Sequence, residues 1–72
     1  MSVNKKLVVY HLARLSDKNV DVRLKSIQEL ADLGDIEALP TLEALYRDDP
    51  DSSVRKAAQE AGRAIYVKSH QS

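Results

Sequence analysis

The residues of this chain that could do chemistry are few, and their spacing closes off most of it. His11 and His70 are the only histidines, and cysteine is absent. A zinc site needs three or four converging ligands. His11 has no acidic residue four positions away, and His70 lies in a polar C-terminal stretch, so both read as surface histidines. Asp48, Asp49 and Asp51 form an acidic knot beside Ser52 and Ser53. An EF-hand calcium loop would also need a mid-loop glycine and a distal glutamate. Neither is there, and turn and cap chemistry accounts for the knot. Glu29 and Asp32 could be posed as an acid/base pair, but at a spacing of three they share one solvated helix face. There is no glycine-rich phosphate loop, nucleophile elbow or His-Glu-x-x-His run. The expectation is a protein that is not an enzyme and carries no cofactor or metal.

The informative spacing is a repeat. Asp17-Lys-Asn-Val-Asp-Val-Arg23 returns 32 residues later as Asp49-Pro-Asp-Ser-Ser-Val-Arg55. Each copy starts with a turn and opens a helix with Val-Arg. Each stands between an upstream apolar segment and a downstream amphipathic one. Tandem units of this kind are helical hairpins, which stack into surfaces for gripping other macromolecules.

Four helices must position these residues. The first runs from about Val3 to Leu15, with Leu7, Val8, Leu12 and Leu15 as its apolar stripe. The second runs from Val20 or Asp21 to Leu33 on Val22, Ser26, Ile27, Leu30 and Leu33. Gly34 follows it where a left-handed residue belongs. The third begins near Ala38 or Leu39 after a looser turn from Ile36. Pro40 falls in its first turn, where the missing N–H had no partner anyway. It carries Leu39, Leu42, Leu45 and Tyr46 to about Asp48. The fourth, capped by Asp51 or Ser52, runs from about Ser53 to Val67 on Val54, Ala58, Ala61 and Ile65. No segment alternates with period two, so the fold class is all-α. The 72 residues make a single domain, with repeat 1 at about 3–33, repeat 2 at about 36–67 and a polar tail at 68–72.

Composition narrows the class. Hydrophobic residues are 43% and charged residues 31%, a globular rather than disordered balance. Lys5 and Lys6 precede too short an apolar run for a signal peptide, and no run approaches a membrane span. The expectation is a cytoplasmic protein with no membrane partner. Net charge is zero but unevenly spread. Residues 1–25 hold six Lys/Arg against two Asp, residues 26–51 one Arg against eight Asp/Glu, and residues 52–72 four Lys/Arg against one Glu. The acidic middle argues against nucleic acid, which asks for a continuous basic face.

The runs Gly34-Asp35-Ile-Glu-Ala38-Leu39-Pro40-Thr-Leu42 and Asp49-Pro-Asp51-Ser-Ser-Val54-Arg55-Lys-Ala-Ala58 closely resemble HEAT repeats, in particular the short type of phycobilisome lyase-like proteins. Repeat 1 matches less fully, through Leu12, Leu15, Asp17, Val22-Arg23, Leu30 and Gly34. The resemblance implies an α-solenoid fragment of two hairpins. It implies that Val22 and Val54 seat the second helix of each hairpin in the core. It further implies that Arg23 and Arg55 stack in register and bond to the turn aspartates Asp17 and Asp49.

The function expected is a non-catalytic protein–protein interaction module: an adaptor, scaffold or assembly factor. The alternative carried by the resemblance is an accessory subunit of a phycobilin lyase, or a phycobilisome assembly or degradation factor. A partner protein is expected on the solvent side of the second helices, at Lys25, Gln28 and Asp32 in one repeat and Lys56, Gln59, Glu60 and Arg63 in the other, with Tyr66 at the end of the strip. Tyr46 and Arg47 could serve on the opposite face. Self-association through the end helices is the other option, using Val8, Val9 and Leu12 at one end and Ala57, Ala61 and Ala64 at the other.

Overall fold

Each helix starts where a side chain can satisfy the first orphan amides. The computed structural model describes residues 3–70, and four α-helices fill most of them: α1 (Val3–Arg14), α2 (Val20–Leu33), α3 (Leu39–Asp48) and α4 (Ser52–Ser69), with a 3-10 turn at Ile36–Ala38 before α3. Asn19 caps α2 by accepting from the N–H groups of Asp21 and Val22, and Asp51 caps α4 by accepting from those of Ser53 and Val54. The two caps stand 32 residues apart and do the same work, so the sequence repeat is a repeat of helix starts. Asp35 caps the 3-10 turn through the N–H of Glu37, and Pro40 falls in the first turn of α3. Gly34 ends α2 with φ 70°, and its N–H returns to the carbonyl of Leu30. Only glycine enters that region without a Cβ penalty.

The hairpins α1/α2 and α3/α4 pack so that α2 lies between α1 and α4, while α3 rests on α4. Val8, Leu15, Ile27, Leu30, Ala38, Leu42, Val54, Ala58, Ala61 and Ile65 are buried in one cluster. Each large member contributes about 1.5–3 kcal/mol through removal of apolar area from water. The seam between the repeats is a stripe of α4, Val54, Ala57, Ala61 and Ala64 at i, i+3, i+7 and i+10, set toward α2. Ala57, Ala61 and Ala64 share a shallow cleft there with Leu24, Ile27 and Ala31. The alanines let the two helices approach closely.

This corrects three expectations. The small-residue side of α4 is not an open end, because Ala57 and Ala61 already pack inside the molecule and only Ala64 stays exposed. Leu7 is 41% exposed, since Val8, one residue on and about 100° around the helix, takes the core position. Val22 is half-buried rather than seated in the core, although Val54, its equivalent, is fully buried. Val54 has α2 beside it, and no helix among the described residues lies on the corresponding side of α2. The fourth helix also runs two residues past its expected end, because Lys68 is tied down by donating to the carbonyl of Asp32. Gln71 and Ser72 of the expected tail lie outside the described residues.

Candidate functional site

The arginines and aspartates of the repeat sit at the junction of the two hairpins. Arg23 is only 8% exposed and Asp49 only 7%. Arg23 donates through Nη1 to the carbonyls of Asp17 (2.8 Å) and Lys18 (3.2 Å), and through Nη2 to Asp49 Oδ1 (3.1 Å). Its Nε lies 3.0 Å from Asp49 Oδ2 as an ion pair, with its N–H not aligned for a hydrogen bond. One guanidinium thus closes the turn of repeat 1 and reaches across to repeat 2. Arg55 plays the local half of the part, donating through Nη1 to the carbonyl of Asp49 at 2.7 Å. Both turn aspartates accept, each through its backbone carbonyl. Asp17 offers its carbonyl to Arg23, while its carboxylate turns back to the N–H of Asn19. Asp49 offers its carboxylate to the other repeat's arginine and to the N–H of Asp51. A planar, always-charged donor set suits this mixture of carbonyls and carboxylate.

The expected binding strip divides in two. Lys25, Gln28 and Asp32 are exposed on α2, where Gln28 donates to Asp32 at 3.2 Å, and Glu60 stands near them across the α2–α4 cleft. Gln59, Arg63 and Tyr66 face away, into a groove between α3 and α4, with Lys56 exposed one turn before them on α4. The floor of the groove is Leu39, Leu42, Ala58 and Gly62, and its edges are Pro40, Glu43, Tyr46, Gln59, Arg63 and Tyr66. Its volume is about 390 Å³. The hydroxyl of Tyr46 accepts from Gln59 at 3.5 Å across the groove, so the tyrosine expected on the opposite face belongs with Gln59, Arg63 and Tyr66. Arg47 is exposed and lies outside the groove lining.

The groove follows from the difference between the repeats. At the 32-residue offset, α2 carries Leu24, Ile27, Leu30 and Ala31 where α4 carries Lys56, Gln59, Gly62 and Arg63. Ile27 and Leu30 are buried in the core. In α4 the same positions hold an amide and a glycine, so space opens over Leu39. A Cβ built on Gly62 would meet only Leu39 Cδ2, at 3.9 Å. Position-by-position comparison of the repeats is the signal that would have found this groove from sequence.

Electrostatic tuning lies at the helix starts. The Asp51 carboxyl is held below the ordinary aspartate value, first by the Ser53 hydroxyl and then by the N–H groups of Val54 and Ser53. Lys5, paired with Glu37 and near Asp35 (4.0 Å), has its ammonium held above the ordinary lysine value, chiefly by the Glu37 contact. That pair ties α1 to the 3-10 turn of the next repeat. Arg14 lies over the Tyr10 ring at 5.3 Å, and Tyr10 meets His11 edge-on. Among the described residues no group of three or more metal-capable side chains converges, and no helix is long and apolar enough to cross a membrane. What the groove offers is an apolar floor with two phenols, a guanidinium and a carboxylate around it. Such a lining suits holding a side chain or a helix ridge.

A family model described as HEAT repeats matches residues 4–62, more than three quarters of the chain. The chain belongs to the HEAT-repeat family. HEAT repeats generally mediate protein–protein interaction and are typically non-catalytic. The all-α solenoid architecture of these two HEAT hairpins agrees with that membership. No curated protein matches the chain, and no solved structure does.

Proposed function

We propose that this HEAT-repeat chain is a non-catalytic module that holds another protein in the groove between α3 and α4. The observation that carries the reading is the groove itself. Tyr66 is 57% exposed and Tyr46 44%, and together with Arg63 they edge a floor of leucine, alanine and glycine. Tyrosine and arginine are the residue types that most often anchor interfaces, and they do so next to apolar pockets that exclude water. Adaptor, scaffold or assembly roles are forms of this one activity. Gln59, Arg63 and Tyr66 are its contact residues, with Lys56 on the flank. Lys25, Gln28 and Asp32 form a separate patch.

The test is capture from native lysate by the tagged chain and by the Tyr66→Ala/Arg63→Glu double variant, with circular dichroism on both. A protein held by the first and lost by the second, with helicity unchanged, supports the reading. Equal capture by both removes the groove as the site. The phycobilin-related alternative is tested on the same preparation, since an unshifted bilin absorbance band on mixing rules it out.

A further inference from the structure

We infer that the groove end of the molecule receives the opposite end of a second copy, head to tail, in the register that already joins the two repeats. This rests on the reading of the groove as a protein-binding surface and names its occupant.

The internal seam defines the register. There α4 presents Ala57, Ala61 and Ala64 to the side of α2 that carries Leu24, Ile27, Gln28 and Ala31, with the buried Val54 one turn before them on the same stripe. Advancing by one repeat places the equivalents of the first set, Val22, Lys25, Glu29 and Asp32 of a second copy, against the equivalents of the second, Lys56, Gln59, Glu60 and Arg63. Both sets are accessible. Lys25, Asp32, Lys56, Gln59, Glu60 and Arg63 are exposed, and Val22 and Glu29 half-buried. The half-exposed Val22 would gain the cover that Val54 already has.

The charges agree in both layers. Helix α4 carries Arg55, Lys56, Arg63 and Lys68 against Glu60, while α2 carries Asp21, Glu29 and Asp32 against Lys25, its Arg23 being engaged with Asp49. Helix α1 carries Lys6 and Arg14 with no acid, its Lys5 being paired with Glu37 and Asp35, while Glu43 and Asp48 outweigh Arg47 on α3. Stacking N-terminal end on groove end therefore sets a basic helix on an acidic one twice over. In this register Arg63 faces Glu29 and Asp32 of the second copy. The first helix contributes through its own side: α3 turns Thr41 and Ala44 toward Leu15 and Ser16, just past the end of α1. At the 32-residue offset the matching positions of α1 are Val9 and Leu12, which the stack brings toward Arg47 and Asp48. Two contacts are repulsive, Lys25 of the second copy facing Lys56 and its Glu29 facing Glu60.

The contact is heterologous, so it does not close at two copies. Because α4 offers Lys56, Gln59 and Arg63 where the internal seam has Leu24, Ile27 and Ala31, it is led by charge. It should weaken as salt shortens the screening length. The test is sedimentation velocity on the purified full chain over a wide concentration range, at about 20 mM and about 500 mM salt. The expected result is a mass that rises past the dimer at low salt and falls back at high salt. Arg63→Glu should weaken association about three- to tenfold, and Lys56→Glu should strengthen it about threefold by pairing with Lys25. Two charge reversals on one helix with opposite effects are what this register requires. A monomer at every concentration, a dimer that grows no further, or the two reversals acting in the same direction would each overturn it. If the chain stays monomeric while the lysate protein is still lost with Tyr66→Ala/Arg63→Glu, self-stacking fails and the groove reading stands.

Discussion

Replacing Arg23 with methionine should come close to unfolding the protein, whereas the same change at its repeat-equivalent, Arg55, should not. The difference follows from what each guanidinium leaves behind. Without Arg23, the buried Asp49 carboxylate loses its paired cation and keeps the N–H of Asp51, and the carbonyls of Asp17 and Lys18 lose their donor. Breaking a buried pair by removing one partner costs about 3–5 kcal/mol, because an uncompensated charge remains. Without Arg55, one carbonyl, that of Asp49, loses one bond at a half-buried site. That costs about 1 kcal/mol. A chain of this length has a total stability of about 4–11 kcal/mol.

Urea denaturation followed by helical circular dichroism separates the two. With a slope of about 1 kcal/mol per molar urea, typical of the smallest domains, the Arg23→Met midpoint should fall about 2–4 M below that of Arg55→Met. The cause is checked by adding Asp49→Asn, which neutralises the stranded carboxylate and keeps an oxygen for the N–H of Asp51. The pair Arg23→Met/Asp49→Asn should be more stable than Arg23→Met alone by more than about 1 kcal/mol. Equal midpoints for Arg23→Met and Arg55→Met, or full additivity of Arg23→Met and Asp49→Asn, would refute the claim that one buried pair joins the repeats.

Gly34→Ala should cost about 1–2 kcal/mol in the same assay, because φ is 70° there and a Cβ would sit 2.7 Å from Lys68 Cδ. Adding Lys68→Ala should remove the clash and leave the backbone part of the loss. Gly62→Ala should do the reverse and stabilise by about 0.5–1 kcal/mol, since the site is helical and its nearest neighbour is 3.9 Å away. Asp51→Asn should keep the cap, as Asn19 does in repeat 1, and lose its pH dependence. The folded Asp51 carboxyl titrates below its unfolded value near 3.8, so its stabilising effect is full above that pH and is shed as the pH falls through the lower folded value. The gap in urea midpoint between wild type and Asp51→Asn should therefore change only below about pH 4.

Local signals predicted the helices well. The Asp51 cap, Gly34 and the first-turn Pro40 act within a few residues of themselves, so the end of α2 and the starts of α3 and α4 were legible, including the looser turn at Ile36–Ala38, whereas Asn19 read only as part of a turn. Periodicity also placed Val54, Ala58, Ala61 and Ile65 in the core. What periodicity does not encode is which neighbour lies beside each stripe. Leu7 and Val22 fit their stripes and still fall at the margin, because burial was decided by α2 and α4 lying against one side only. The alanines of α4 read as a free surface for the same reason: a small-residue face looks alike whether it waits for a partner or already holds one. The strip on the second helices divided because α4 has a neighbour on each side, α2 toward Ala57 and Ala61 and α3 toward Gln59 and Gly62.

That arrangement separates what holds the molecule together from what it offers to others. The Arg23–Asp49 pair and the alanine seam join the repeats, while the groove is built from α3 and α4 alone. Of its floor leucines, Leu42 belongs to the same apolar cluster as Val54 and Ile65 and Leu39 packs against that cluster, so the groove keeps its shape only while the second hairpin is packed. An isolated hairpin of this size has too little core to hold itself. The first repeat is therefore the support against which α4 is fixed, with its buried arginine as the fastening. Changes at Arg23 should lower binding only in proportion to the fraction unfolded, and raising the folded fraction by adding Asp49→Asn should restore it. Changes at Arg63 or Tyr66 should lower binding with the fold intact.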